Sequence, residues 1–196
     1  MREIILNAAR ELVDSEGVEK VSIRKIAAKI EYSPAIIYHY FANKEEIVEK
    51  LIAEQYMEIV KALAVLQTAD MPPKEKLKKS ALSFVTLAVK MGDSYKSMMT
   101  NDSPQILAHT SVLQQGAATE RPAINILCNA LREFPGFAHC DDLDIELTAQ
   151  VIWATAFGLS MRLIVEQVDE EQKARLIDRT AEFVLHALEN QQLNNG

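Results

Sequence analysis

No stretch of this 196-residue chain approaches the roughly 18 consecutive apolar residues of a membrane-spanning helix, so no membrane segment is expected. A basic surplus is also missing. Lys and Arg number 21 against 28 Asp and Glu, a net charge of −7, where a general nucleic-acid binder carries an excess of cations. Cysteine is scarce: Cys128 and Cys140 stand in different contexts without close metal-ligand spacing, which predicts reduced, structural thiols. The chain has no Gly-x-Ser-x-Gly elbow and no glycine-rich phosphate loop. Its four histidines, His39, His109, His139 and His186, form no catalytic pairing, so no enzyme and no cofactor are expected. His139-Cys140 beside Asp141, Asp142 and Asp144 has ligand-type side chains. The spacing matches no metal motif, however, and an acidic helix start accounts for the carboxylates; no metal site is assigned. The start, MREIILNAARELVDSEG, lacks the apolar core and cleavage pattern of a signal peptide. With 48% hydrophobic and 25% charged residues, the composition is that of a soluble globular protein, and a cytoplasmic location is expected.

What is present is concentrated between residues 22 and 44, SIRKIAAKIEYSPAIIYHYFANK. Ser22 is a suitable N-cap, and Ile23, Ile26, Ala27 and Ile30 fall on one helix face. Lys29 to Ser33 reads as a connection. Ser33 then caps a second helix with Pro34 at its first position, where the missing N–H is harmless. Ile37 and Phe41, one turn apart, hold this short helix inward. The other faces carry small, aromatic and hydroxyl groups of a size and chemistry suited to a major groove. An ordinary helical hairpin would share the periodicity but not the detailed string. Upstream, Ile5, Ala8, Ala9, Leu12 and Val13 form a helical stripe ending near Glu16-Gly17, and Val18, Val21 and Ile23 complete a three-helix core.

These residues resemble the N-terminal DNA-binding domain of the TetR family of bacterial transcriptional regulators. The resemblance rests on Ser22 opening the second helix, Ile26-Ala27, the turn Glu31-Tyr32-Ser33, the run Tyr38-His39-Tyr40-Phe41 and Lys44-Glu45. It covers residues 1 to about 50. Where the family usually has a turn glycine, this chain has Glu31, at a cost of about 1 kcal/mol if φ there is positive. The resemblance implies a ligand-responsive repressor that binds double-stranded operator DNA and leaves it when a small molecule binds. Contacts are expected from Ser33, Pro34, Ala35 and Ile36 to base edges and from Tyr38, His39 and Tyr40 to bases or adjacent phosphates. Lys44 is expected on phosphate, with Ser22 and Arg24 at the other edge. The first 50 residues hold eight basic against nine acidic side chains, so the cations Arg2, Arg24, Lys25, Lys29 and Lys44 make a basic footprint only if Glu11, Asp14, Glu16 and Glu19 face away. Two copies of the head are then needed for useful affinity.

The remaining chain reads as helices, giving an all-α protein of about nine. Residues 1–47 are expected to form the helix-turn-helix DNA-binding domain and 48–196 a larger regulatory and dimerisation domain. One helix should run from Lys44 to Leu66, with a break over Thr68 to Pro73. Another follows from Lys74 to Met91, its start solvated by Lys74, Lys76, Lys78 and Lys79. Helices near 103–113 and 122–134 come next, with Gln114 to Thr119 a turn. The last two, 141–166 and 170–189, are apolar on several sides and are expected to form a homodimer surface, Ala154 and Gly158 allowing close approach. Phe84, Met91, Tyr95, Met98, His109, Trp153 and Phe157 concentrate flexible and aromatic bulk suited to an apolar or amphipathic effector, although each also fits ordinary core packing. A protein-interaction adaptor without DNA binding is the alternative reading, supported by the acidic head and Glu31.

Overall fold

Eleven α-helices and three short 3₁₀ turns account for the ordered elements of the computed structural model, which describes residues 1–67 and 70–194. The helices are α1 (Arg2–Glu16), α2 (Ile23–Lys29), α3 (Pro34–Tyr38), α4 (Lys44–Ala62), α5 (Pro73–Met91), α6 (Asp93–Met99), α7 (Pro104–Thr110), α8 (Ala117–Glu120), α9 (Pro122–Arg132), α10 (Asp142–Glu166) and α11 (Glu170–Asn194). The all-α expectation holds. The two helices beyond the expected nine are α6 and α8, of seven and four residues, too short for apolar periodicity to reveal. α4 ends at Ala62, four residues early: the Leu63 N–H is shared between the Ile59 and Val60 carbonyls, and this tightening passes into a 3₁₀ turn at Ala64–Gln67. α7 likewise stops at Thr110 rather than Leu113. Thr68 and Ala69, part of the expected break, lie outside the described residues.

The chain divides into two compact units: Met1–Met57 with Met91–Thr110, and Glu58–Lys90 with the chain from Ser111 on. In the first, the core comprises Ile5, Leu6, Ala8, Ala9 and Leu12 of α1, Ile23, Ile26 and Ala27 of α2, Ile37 and Phe41 around α3, and Ile47 and Leu51 of α4. Burying each large aliphatic side chain contributes about 1.5–3 kcal/mol, enough in sum to hold a five-residue helix that would not form alone. α1 stops at Gly17, whose φ of 87° and ψ of 154° suit glycine almost alone.

The second unit is built around α9, whose Ala123, Ile124, Ile126, Leu127, Cys128, Ala130 and Leu131 are buried. α10 lies along it with Ile145, Ala149, Trp153 and Leu163 turned inward. Two buried polar residues of α10 explain α8. The Glu146 carboxylate accepts hydrogen bonds from the Gly116 and Ala118 amides (2.7 and 2.8 Å), and the Gln150 side-chain amide donates to the Gln114 carbonyl at 3.0 Å. Phe84 of α5 packs against Trp153 with ring centroids 5.1 Å apart. The lysines at the start of α5 do not simply solvate it. Lys76 is buried and its Nζ meets Glu133 at 2.7 Å, while Lys74 pairs with Glu189 and Lys78 with Asp178. These carboxylates, distant in sequence, recruit cations that local composition assigned to water.

α10 has the length and apolarity to cross a membrane, with a mean hydropathy of 1.3 over its best window. Its inner face is packed against α9 and Phe84. Its outer face leaves a stripe of Leu143, Leu147, Val151, Ala154, Gly158 and Val165 exposed. A groove of about 420 Å³ between α10 and α11 continues the stripe, lined by Leu147, Val151, Ile152, Phe183, Val184 and Leu188 among others. Phe183 is 72% exposed, so two neighbouring helices present apolar side chains that the described residues do not cover.

Candidate nucleic-acid interface

The helix-turn-helix is assembled from local bonds. The Ser22 hydroxyl accepts from the Lys25 amide at 3.3 Å, capping α2. At the other end, the Glu31 amide donates to the Ala28 carbonyl (3.2 Å) and the Tyr32 amide to Ala27 (3.0 Å). This reciprocal pair is a Schellman closure, and it requires a left-handed residue where Glu31 stands. Glu31 accordingly has φ 59°. Pro34 occupies the first turn of α3. Ser33 precedes it in extended conformation, but its hydroxyl makes no capping bond, contrary to the cap role expected of it. Backbone geometry starts the helix instead, through the Ile36 amide and the Ser33 carbonyl at 3.0 Å.

Ile37 and Phe41 are buried, as their spacing required. Ser33, Pro34, Ala35, Tyr38, His39 and Tyr40 are exposed and Ile36 is half-buried, so seven of the expected contacts surround one short helix. Arg24 is exposed on α2, and Ser22 and Lys44 are half-buried at the edges of the head. Sequence reasoning does not single out Tyr32, a 48% exposed aromatic at the turn. Its only signal is position, one residue before Ser33-Pro34. Lys44 opens α4, which Asn43 caps by accepting from the Glu46 amide at 2.9 Å. Glu46 accepts in return from the Ala42 amide (2.7 Å) and pairs with Arg2 (2.9 Å). The Arg2 guanidinium also lies 4.5 Å from the Phe41 ring centroid, tying α1 to the segment between α3 and α4.

The electrostatic expectation for this surface needs correction, because Glu11 and Glu16 do not face away from the footprint. Glu16 pairs with Lys25 and Glu11 with Lys29, and the hydrogen bond from Lys25 holds the Glu16 carboxyl below its ordinary range. With Arg2 engaged by Glu46, the five-residue footprint keeps Arg24 and Lys44 without an ion pair among the described residues. Exposed pairs of this kind are weak because water and salt screen them, so a phosphate can exchange for either glutamate at little cost.

The seven effector candidates do not share one unit. Phe84, Trp153 and half-buried Phe157 belong to the second, Met91, Tyr95, Met98 and His109 to the first. Tyr95 is fully buried, which raises its phenol well above the ordinary range. His109 Nε2 lies 3.8 Å from a Glu49 carboxylate oxygen. Asp141, which follows His139-Cys140, caps α10 by accepting from the Asp144 amide at 2.8 Å. No three His, Cys, Asp or Glu side chains converge as a metal site among the described residues.

Residues 5–51 match the family profile described as bacterial regulatory proteins, tetR family. The HTH-type transcriptional regulator UidR of Escherichia coli (strain K12) is 36% identical over 53 residues, 27% of each chain. The chain thus aligns with about a quarter of the length of the curated relatives it matches. Among solved structures, the complex of SmeT with triclosan superposes with a TM-score of 0.65 at 18% identity, covering 95% of this chain and 90% of that one. SmeT is the repressor of the Stenotrophomonas maltophilia multidrug efflux pump SmeDEF. The fatty acid degradation regulator FadR from Bacillus halodurans gives 0.62 at 20% identity, with 94% of each chain covered. At these identities the structural likenesses establish the fold, and the sequence match is that of the head.

Proposed function

We propose that this chain, which belongs to the TetR family of bacterial regulatory proteins, is a dimeric, ligand-responsive operator-binding repressor of the cytoplasm. The observation that carries the reading is the exposed set Ser33, Pro34, Ala35, Tyr38, His39 and Tyr40 around α3, mounted on a buried core within the stretch matched by the family profile. A helix held this rigidly from behind is suited to a major groove. Residues 1–47 are assigned as the DNA-binding domain and 48–196 as the regulatory and dimerisation domain. Ser33 to Ile36 meet base edges, Tyr38, His39 and Tyr40 meet bases or phosphates, and Lys44, Ser22 and Arg24 meet the backbone.

The uncovered face of α10 and α11 supports pairing with a second copy, which brings two heads to one operator and compensates for a head of low positive charge. Gly158, Ala154 and Val151 lie in its exposed stripe. The effector is assigned an apolar or amphipathic character. The triclosan complex of SmeT and the fatty acid role named for FadR favour that class of ligand. The test is selection of genomic fragments by the full chain at two ionic strengths. Enrichment of palindromic fragments, with half-sites about one helical turn or a multiple apart and weaker at high salt, is the expected result. A folded dimer that enriches no fragment at low salt refutes the proposal.

A further inference from the structure

The turn before α3 holds a residue whose backbone closes α2 and whose side chain has no partner among the described residues. Glu31 occupies a left-handed position, φ 59°, where glycine or asparagine closes a helix at lower cost. Its side chain is exposed and forms no hydrogen bond or ion pair among the described residues, so no side-chain contact among them offsets the backbone strain. Strain held without internal compensation points to a role at the surface. Pro34 is three residue steps along the chain, at most about 11 Å when extended. If α3 enters a major groove, the carboxylate is within side-chain reach of the same half-site. An ionised carboxylate only accepts hydrogen bonds. Phosphates repel it, since they lie inside a screening length of about 8 Å, and so do the guanine O6 and N7 and thymine O4 edges. The donors in the groove are the exocyclic amines, and cytosine N4 is the characteristic partner of a carboxylate.

Resting on the DNA-binding reading, we propose that Glu31 is a specificity-determining residue: its carboxylate accepts a hydrogen bond from cytosine N4 at a base pair beside those met by Ser33, Pro34 and Ala35. Binding at sites lacking that amine is penalised by the same charge. The experiment is selection from a randomised duplex pool with the full-length protein and two variants, each checked for folding by circular dichroism. Glu31→Gln keeps the size and left-handed strain but removes the charge; Glu31→Gly removes charge and strain together. The wild type should enrich cytosine at one position of each half-site. Preference there should fall at least about fivefold in both variants, the lower end of a base-edge contact, with the remaining positions unchanged. Identical base frequencies in all three proteins overturn the inference, as does a uniform rise in affinity for every sequence, which marks repulsion alone. A wild type that enriches no sequence overturns the DNA-binding reading and this inference with it, whereas an unchanged operator preference in the variants overturns this inference only.

Discussion

Replacing Glu31 with glycine should stabilise the head, and the structure sets the size of the effect. A side-chain-bearing residue in the left-handed region is disfavoured by about 1–2 kcal/mol. Glycine at the same place costs about 0.5–1 kcal/mol more backbone entropy on folding. Because the Glu31 carboxylate has no partner among the described residues, the substitution loses no contact, and the difference, about 0.5–1 kcal/mol, favours the variant. For a chain of this length that corresponds to about 1–4 °C in melting temperature. Glu31→Ala is the control: it removes the charge and keeps the Cβ, so its stability should match the wild type. Urea unfolding followed by far-ultraviolet circular dichroism should move to a higher midpoint with unchanged slope. Exchange of the Tyr32 amide, which donates across the turn to Ala27, should slow. Trp153 fluorescence is the wrong probe, since the single tryptophan belongs to the other unit. If Glu31→Gly is no more stable than the wild type, or Glu31→Ala gains as much, the left-handed strain does not carry the cost assigned to it.

Lys44→Ala should weaken binding across operator variants and reduce the salt dependence, whereas Ile36→Ala should alter sequence preference; titrations at several salt concentrations separate the two. Gly158→Glu should leave the chain folded, because a Cβ there meets nothing within 4 Å. It should convert a dimer to a monomer in sedimentation by placing a charge in an apolar interface; a dimer that survives the change removes α10 from the interface. Glu133→Gln strands the buried Lys76 ammonium and should destabilise by about 2–4 kcal/mol in urea unfolding, while Lys76→Met leaves a carboxylate that can hydrate and should cost about 1 kcal/mol or less. Burial pushes the Cys128 thiol up to about 11, so at pH 8 about one in a thousand is ionised. A thiol-disulfide reagent should therefore react first with half-buried Cys140, and with Cys128 on unfolding; fast labelling of both in the native state contradicts the burial.

Residues whose role depends on near neighbours are legible in the amino-acid sequence alone. Ser22, Pro34, Gly17 and Asp141 mark helix ends by backbone chemistry that acts within four residues, and the stripes of α1, α2 and α10 follow from helical spacing. The turn at Glu31 is recognisable by resemblance to a family that usually has glycine there, and the positive φ that glycine would serve is observed in the structure. Ser33 shows the limit even at this range, since its position ahead of α3 is as expected and its hydroxyl bond does not form. The tertiary structure decides what depends on distant partners. Charge along the chain does not say that Glu11 and Glu16 take Lys29 and Lys25, or that Lys76 is buried against Glu133, because a long side chain pairs with whatever folding brings within a few ångströms. Nor does periodicity say which of α10's apolar rows finds α9 and which stays uncovered. The effector candidates look like one apolar set along the sequence, yet they fall in two units, because composition records how much apolar surface a segment has and only packing decides where it is buried.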